Sequence, residues 1–166
     1  MQASFTRRTL LAALISASAS AAVLSGPAFA YDEKSTSALN VDAKNIAVKG
    51  HDVVAYFTVG APTVGKAEFA ASHEGAVYHF ASAANRDAFR ANPTKYAPQF
   101  GGFCAMGVAL EKKLDGDPSA WRVVGDRLYL NVNKDVQKKW LEDVPGNLVK
   151  ANSNWPQIKA KAPKEL

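Results

Sequence analysis

Cysteine is almost absent from this chain of 166 residues, which has a single copy at Cys104. One cysteine cannot form an internal disulfide, so no disulfide holds this fold together. The three histidines form no His-x-x-x-His pair, and there is no Cys-x-x-Cys pair. The sequence therefore excludes a disulfide scaffold and the common cysteine–histidine zinc motifs.

Long apolar runs are also missing. The longest, from Leu10 to Leu24, is rich in alanine and serine and is too short for a convincing membrane span. It follows Arg7-Arg8 and precedes Ala28-Phe29-Ala30, a small-x-small cleavage pattern. Paired arginines are typical of a twin-arginine (Tat) signal, and an ordinary secretory signal is the alternative. We predict that residues 1–30 are a signal peptide cleaved near Ala30. We also predict export to the periplasm or beyond the cell, with no membrane anchor in the mature form.

The chain has little excess charge. Its formal net charge is +5, and residues 1–30 contribute two arginines and no acid, which leaves +3. Three lysines in the segment 159–166 account for much of that remainder, so we interpret this segment as a solvated basic tail. No arginine–aromatic interleaving is present, and we expect no nucleic-acid partner.

Residues 31–166 are enough for one domain with its own core. We predict an extended polar lead-in over residues 31–45 and a folded domain over residues 46–158. In that domain, β-branched and aromatic residues on both sides of Gly50-His51-Asp52 predict two strands, Ile46 to Val48 and Val53 to Phe57.

Further along, two hairpins are expected, one around His73-Glu74-Gly75 and one around Gly125-Asp126. Helices are predicted over residues 83–91 and 134–143, with Pro145-Gly146 ending the second. Gly101-Gly102 predicts a tight backbone approach or positive φ just before Cys104. No internal repeat is visible in the sequence. The predicted fold class is α+β, a compact single domain of antiparallel hairpins with short helices packed against them.

The order of these motifs resembles the YHS domain family. The motifs that carry the resemblance are the opening Gly50 to Phe57, the aromatic strand with Tyr78 and Phe80, the helix with Phe89, and Gly101 to Ala105. The resemblance implies a small module often associated with metal handling. In the metal-binding form of the family, three cysteines occupy positions that correspond here to Ala55, Ala81 and Asn85. A multi-cysteine metal site is therefore not implied for this chain.

A soft-metal site around Cys104 is the most specific functional hypothesis. Thiolate and thioether sulfur favour Cu(I), and imidazole accepts copper or zinc. In extended backbone, Cys104 and Met106 would lie on one face. His79 and His51 are the candidate imidazole ligands, with Asp52 expected to orient His51.

Two other functions compete with this hypothesis. A redox or nucleophilic enzyme would need Cys104 as a thiolate with a lowered pKa and a histidine base nearby. No resolving cysteine is present. A structural or interaction domain would leave Cys104 inert. We favour an exported binding or accessory protein, with a metal ion or small ligand as its partner, over an enzyme.

Overall fold

The structure is a computed structural model that describes residues 31–166. The predicted signal peptide lies outside the described residues. Tyr31, at the start of this range, packs against the core, and its hydroxyl donates a hydrogen bond to the carbonyl of Lys113. Across residues 31–166, no helix is long and apolar enough to span a bilayer.

The described chain contains six helices and four strands, which pair as two separate antiparallel hairpins, so the predicted α+β class is confirmed. Residues 31–47 form turns and isolated bridges that precede these elements. In chain order, the elements are α1 (Ala55–Thr58), β1 (Lys66–His73), β2 (Ala76–Phe80), α2 (Ala83–Ala91), α3 (Pro93–Tyr96), α4 (Ala105–Ala109), β3 (Asp117–Val124), β4 (Arg127–Asn131), α5 (Lys134–Leu141) and α6 (Val144–Ile158).

The strand predicted over Val53 to Phe57 is wrong. These residues begin the short helix α1, because the Asp52 carboxylate accepts hydrogen bonds from the backbone N–H groups of Val54 (2.9 Å) and Ala55 (3.2 Å). These bonds satisfy backbone donors that would otherwise have no partner at the start of α1. The β-branched residues therefore pack from a helical turn, and the local strand propensity is overridden.

The ending predicted at Pro145-Gly146 is also wrong. Helix α5 ends at Leu141, and Pro145 lies in the first turn of the new helix α6, where a missing backbone N–H costs nothing. The Asp143 side chain caps α6 by accepting from the Gly146 N–H at 2.9 Å. By contrast, both hairpins and the capped helices α2 and α5 confirm the predictions from sequence.

The structure contains an internal repeat that the sequence does not reveal. Adding 51 to a residue number in the first hairpin gives the counterpart of every paired residue in the second. The pair Lys66–Phe80, for example, becomes Asp117–Asn131. Each hairpin also has a register shift after its first pair, at the same place in the strand. The two hairpins are therefore the same structure built from different residues.

The repeat extends on both sides of the hairpins. Before each hairpin, three consecutive residues have positive φ, Val48 to Gly50 in one case and Phe100 to Gly102 in the other. After each hairpin, the next helix has a side-chain N-cap, Ser82 for α2 and Asn133 for α5. We call residues 48–96 the first unit and residues 100–158 the second unit.

The two units pack in tandem. From the first unit, the Tyr56 ring lies 5.0 Å from the Trp121 ring of the second hairpin, and its hydroxyl donates to the Pro118 carbonyl at 2.9 Å. In the second unit, the surface of α4 is covered by α6, whose Asn154 amide donates to the carbonyls of Val108 and Ala109. Helix α6 thus closes the far end of the stack.

Candidate functional site

The first unit holds a buried carboxylate in a cradle of N–H donors. Asp52 is fully buried. Beyond its two bonds to the start of α1, its second oxygen accepts from the Ala81 N–H at 2.9 Å and from the Asn85 side-chain amide at 2.7 Å. The carboxylate therefore joins α1 to the beginning of α2. His51 is not its partner, since the His51 ring nitrogen faces the Val48 carbonyl at 3.2 Å. The expected role of Asp52 in orienting His51 is wrong.

Cys104 occupies the equivalent cradle in the second unit. It is the N-cap of α4, and its sulfur accepts a hydrogen bond from the Gly107 N–H at 3.3 Å. The backbone of Val132 lies beside this sulfur, and the Met106 N–H donates to the side-chain oxygen of Asn131 at 3.3 Å. Val132 is the counterpart of Ala81, which donates to Asp52 in the first unit. A thiol in the second unit thus stands where the first unit has a carboxylate.

The sulfur is sealed from solvent. Cys104 has no exposed surface, and burial raises the pKa of its thiol, although the hydrogen bonds from Gly107, Val132 and Met106 act in the opposite direction. The thiol lies 3.7 Å from the side-chain oxygen of Asn131, which is also fully buried. The site is polar and closed, and at neutral pH it holds a protonated thiol.

The other predicted ligands lie in different surroundings. Met106 is half-buried and lies in the first turn of α4, which Cys104 caps. The prediction of extended backbone at these two residues is therefore wrong. His51 and His79 belong to the first unit, where the His79 ring lies beside Gly50. Among residues 31–166, no group of three or more His, Cys, Asp or Glu side chains is arranged to hold a metal ion.

The position of His79 has a simple physical explanation. Its counterpart, Leu130, is 1% exposed because that face of the second hairpin packs against the first unit. The equivalent face of the first hairpin lies at the end of the stack, where His79 is half-buried. Polar residues on the outer face of a terminal unit are typical of repeat structures.

The three positions that the resemblance assigns to cysteines come together at Asp52. Ala55 and Ala81 each donate a backbone N–H to its carboxylate, and Asn85 donates its amide. In this chain, the space that these positions surround is therefore occupied by a carboxylate with four donors. Because Ala55, Ala81 and Asn85 lie together in the fold, the structure supports their correspondence to the three cysteines of the metal-binding form.

A second buried polar group was missed by sequence reasoning. Lys113 looks like part of a solvated Glu-Lys-Lys edge, yet it is only 1% exposed. Its ammonium donates to the carbonyls of Ser37, Lys159 and Lys161 at 2.7–3.0 Å and lies 4.8 Å from the centre of the Phe103 ring. It joins the lead-in and the end of α6 to the second unit. No local signal marks it, because its partners are distant backbone carbonyls.

Comparison with known proteins gives one match. Residues 54–100 match the family model of the YHS domain, a range that includes all four donors to Asp52 and ends at the turn before Cys104. No curated protein and no solved structure matches the chain. The matched segment covers α1, the first hairpin and the capped helices α2 and α3, which carry the aromatic strand with Tyr78 and Phe80 and the helix with Phe89. The motif Gly101 to Ala105 lies outside it. Residues 54–100 of this chain are therefore similar to the YHS domain.

Proposed function

We propose that the protein is an exported binding or accessory module and that it does not use its thiol for catalysis. The observation that carries this proposal is the closed environment of Cys104, the only cysteine. A nucleophilic or redox thiol has to be reachable and is favoured by a lowered pKa. The sulfur is buried, and burial raises the pKa of its thiol.

The surface of the described chain supports binding over turnover of a small substrate. The cavity between Asn40, Lys49 and Asp115 has room for about one water molecule in its interior, with an accessible volume of about 20 Å³. Larger depressions, such as the one around Tyr31 and Asn45, do not include Cys104 in their lining. A small-molecule enzyme usually encloses most of its substrate in a deep pocket.

Soft-metal binding is the more specific form of the proposal. Its support is chemical, since thiolate and thioether donors prefer Cu(I), and both Cys104 and Met106 belong to the first turn of α4. Because the sulfur is sealed, metal uptake would require this turn to open and the thiol to lose its proton. Copper is therefore expected to bind more slowly to the folded protein than to the protein in denaturant. His79 and His51 are the remaining candidate ligands.

Titration with Cu(I) and with Zn(II), in the presence of a fixed concentration of a competing chelator, tests the metal-binding form of the proposal. We expect one Cu(I) per chain, a loss of that uptake in Cys104→Ala, and a weaker affinity in Met106→Leu. His79→Ala and His51→Ala, tested separately, show whether either ring takes part. Equal uptake by the wild type and Cys104→Ala would refute the metal form.

Thiol reactivity in the same preparations tests the non-catalytic form. We expect an alkylating reagent to modify Cys104 quickly in denaturant and very slowly in the folded protein. Fast modification of the folded protein near neutral pH would show an accessible thiolate and would favour the enzyme hypothesis. Cys104→Ala is the blank for the assay, since the chain has no other thiol.

A further inference from the structure

Two segments of the chain meet at one buried ammonium group. We call residues 31–40 the lead segment and residues 159–166 the tail segment. The side chain of Lys113, which is 1% exposed, donates to the Ser37 carbonyl of the lead segment at 2.7 Å. It also donates to the carbonyls of Lys159 and Lys161 in the tail segment at 3.0 and 2.8 Å. An ammonium group has three N–H donors, so Lys113 uses all of them on these two segments.

The two segments also contact each other and share one surface. The backbone N–H of Lys164 donates to the Glu33 carbonyl at 3.0 Å. Tyr31 and Leu166 both pack against the apolar cluster of the second unit. The Tyr31 hydroxyl donates to the backbone carbonyl of Lys113, so the residue that binds both segments is itself bound by one of them.

Neither segment contains an α-helix or a β-strand, so regular secondary structure does not hold either one in place. The lead segment ends at Asn40, whose backbone N–H donates to the Gly101 carbonyl at 2.8 Å. In the tail segment, a short turn is closed by the Glu165 carboxylate, which accepts the Ala162 N–H at 3.0 Å. The position of both segments therefore depends on contacts with distant residues, which include the three bonds of the Lys113 ammonium.

The buried charge favours joint movement of the two segments. If one segment alone moved away, the Lys113 ammonium would lose one or two acceptors while the other segment still restricted its access to water. A buried charge without its hydrogen bonds is costly. If both segments moved away, water would replace all three carbonyls. The state with both segments open is therefore favoured over either half-open state.

We propose that the lead and tail segments form a single clasp, locked by the Lys113 ammonium, and that the two segments open and close together. In the open state, Tyr31 and Leu166 leave the apolar cluster of the second unit, whereas both hairpins and the Asp52 carboxylate keep their contacts. The clasp is thus a conformational step that precedes global unfolding. This inference does not depend on the proposed function of the protein.

Hydrogen exchange of the folded protein at single-residue resolution tests the clasp. The reporter amides are Asn40 in the lead segment and Lys161 in the tail segment, whose N–H donates to the Ile158 carbonyl at 2.9 Å. We expect the two to have the same opening equilibrium, within about threefold, and to open more often than the amides of β2 and β4. Lys113→Met should increase the opening of both reporters by the same factor, at least about tenfold. Lys150→Met, at an exposed site on α6, is the matched control and should change neither reporter.

A variant in the first unit separates clasp opening from global unfolding. Asp52→Asn weakens the bonds to the buried carboxylate and should increase the exchange of first-unit amides. Because these bonds stay intact when the clasp opens, the Asn40 and Lys161 amides should be unaffected. Faster exchange of both reporters in Asp52→Asn would mean that the segments open only with the whole protein, and this result would overturn the proposal.

Changes confined to one segment test the coupling directly. Asn40→Ala removes side-chain bonds from the lead segment to the Gly102 carbonyl and the Asp115 carboxylate. Glu165→Ala removes the bond to Ala162 within the tail segment. Each variant should increase the opening of both segments by the same factor, about threefold or more.

The tail response to the lead variant decides the proposal even if Lys113→Met does not fold. Exchange at Lys161 should rise in Asn40→Ala, and exchange at Asn40 should rise in Glu165→Ala. Glu142→Ala, at an exposed site between α5 and α6, should leave both reporters unchanged. An effect limited to the altered segment would show that the two segments open separately and would refute the clasp.

Discussion

Replacement of Asp52 by alanine tests whether the buried carboxylate holds the first unit together. Its four hydrogen bonds connect the start of α1 to the beginning of α2 through Ala81 and Asn85. In Asp52→Ala, three backbone N–H groups lose their acceptor in a region from which solvent is excluded. The Asn85 amide is half-buried and can turn outward to water.

The expected cost follows from the number of donors left without a partner. A buried donor with no acceptor costs about 1–3 kcal/mol. The cost of three such groups is not fully additive, because water can enter the space left by the carboxylate. We therefore expect a loss of about 3–5 kcal/mol in the free energy of unfolding. For domains of this size the total is about 5–15 kcal/mol, so the variant should be close to its stability limit.

Urea denaturation followed by tryptophan fluorescence measures this loss. Asp52→Asn keeps one acceptor oxygen, and we expect it to cost about 2–3 kcal/mol, less than the alanine variant. Asp87→Ala is the matched control, because Asp87 is an exposed aspartate on α2, and we expect little change. A cost below about 1 kcal/mol for Asp52→Ala would refute the reasoning. A cost equal to that of the control would refute it as well.

Three further predictions concern other parts of the fold. Lys113→Met leaves three carbonyl oxygens without their donor and should lower the free energy of unfolding by about 2–4 kcal/mol. Lys112 is exposed, so Lys112→Met should change this free energy little in the same denaturation assay. Burial raises the pKa of Tyr78 from 10.0 to about 12, so the folded state keeps a proton that the unfolded state loses. This contribution to stability is complete below pH 10 and is lost as the pH rises to about 12, and Tyr78→Phe should make alkaline unfolding less steep. An added Cβ at Gly65 would overlap the backbone of His79, and one at Gly116 would overlap the carbonyl oxygen of Gly102. Each alanine variant should therefore lower the unfolding midpoint, and an unchanged midpoint in either would contradict the close approach.

The hairpins and the capped helices α2 and α5 were predictable because their signals are local. The two-residue turns Glu74-Gly75 and Gly125-Asp126 both have positive φ at each residue, as their sequences indicate. Ser82 and Asn133 cap α2 and α5 as predicted. The residues that decide these structures lie within a few positions of one another, so a single sequence contains the information.

The candidate site was predictable only in part. Cys104 and the glycine turn before it could be recognised, but the burial of its sulfur depends on β4 and on Asn131, which lies 27 positions further along the chain. The cradle at Asp52 likewise depends on Ala81, which lies 29 positions away. Long-range contacts of this kind leave no periodic pattern. The strand predicted over Val53 to Phe57 failed for a different reason, because the hydrogen bonds from Val54 and Ala55 to the buried Asp52 carboxylate outweigh the local strand propensity.

The repeat cannot be recognised in the sequence because equivalent positions in the two units differ in residue type. The strands Ala76–Phe80 and Arg127–Asn131 share only their central tyrosine, although their pairing partners correspond one to one. Backbone geometry is retained through turns, bulges and caps, which tolerate several residue types. The residue type at each position depends on what that face of the unit contacts. Because the two units have different neighbours, their residues differ.

This duplication gives mutational experiments on the protein a built-in comparison. A side-chain cap and a bulge each occur twice in one polypeptide, once in the first unit and once in the second. Changing the two copies separately measures the same interaction in two settings, with expression, solvent and chain length held constant. The difference between the two results isolates the effect of location, which experiments on unrelated proteins cannot do.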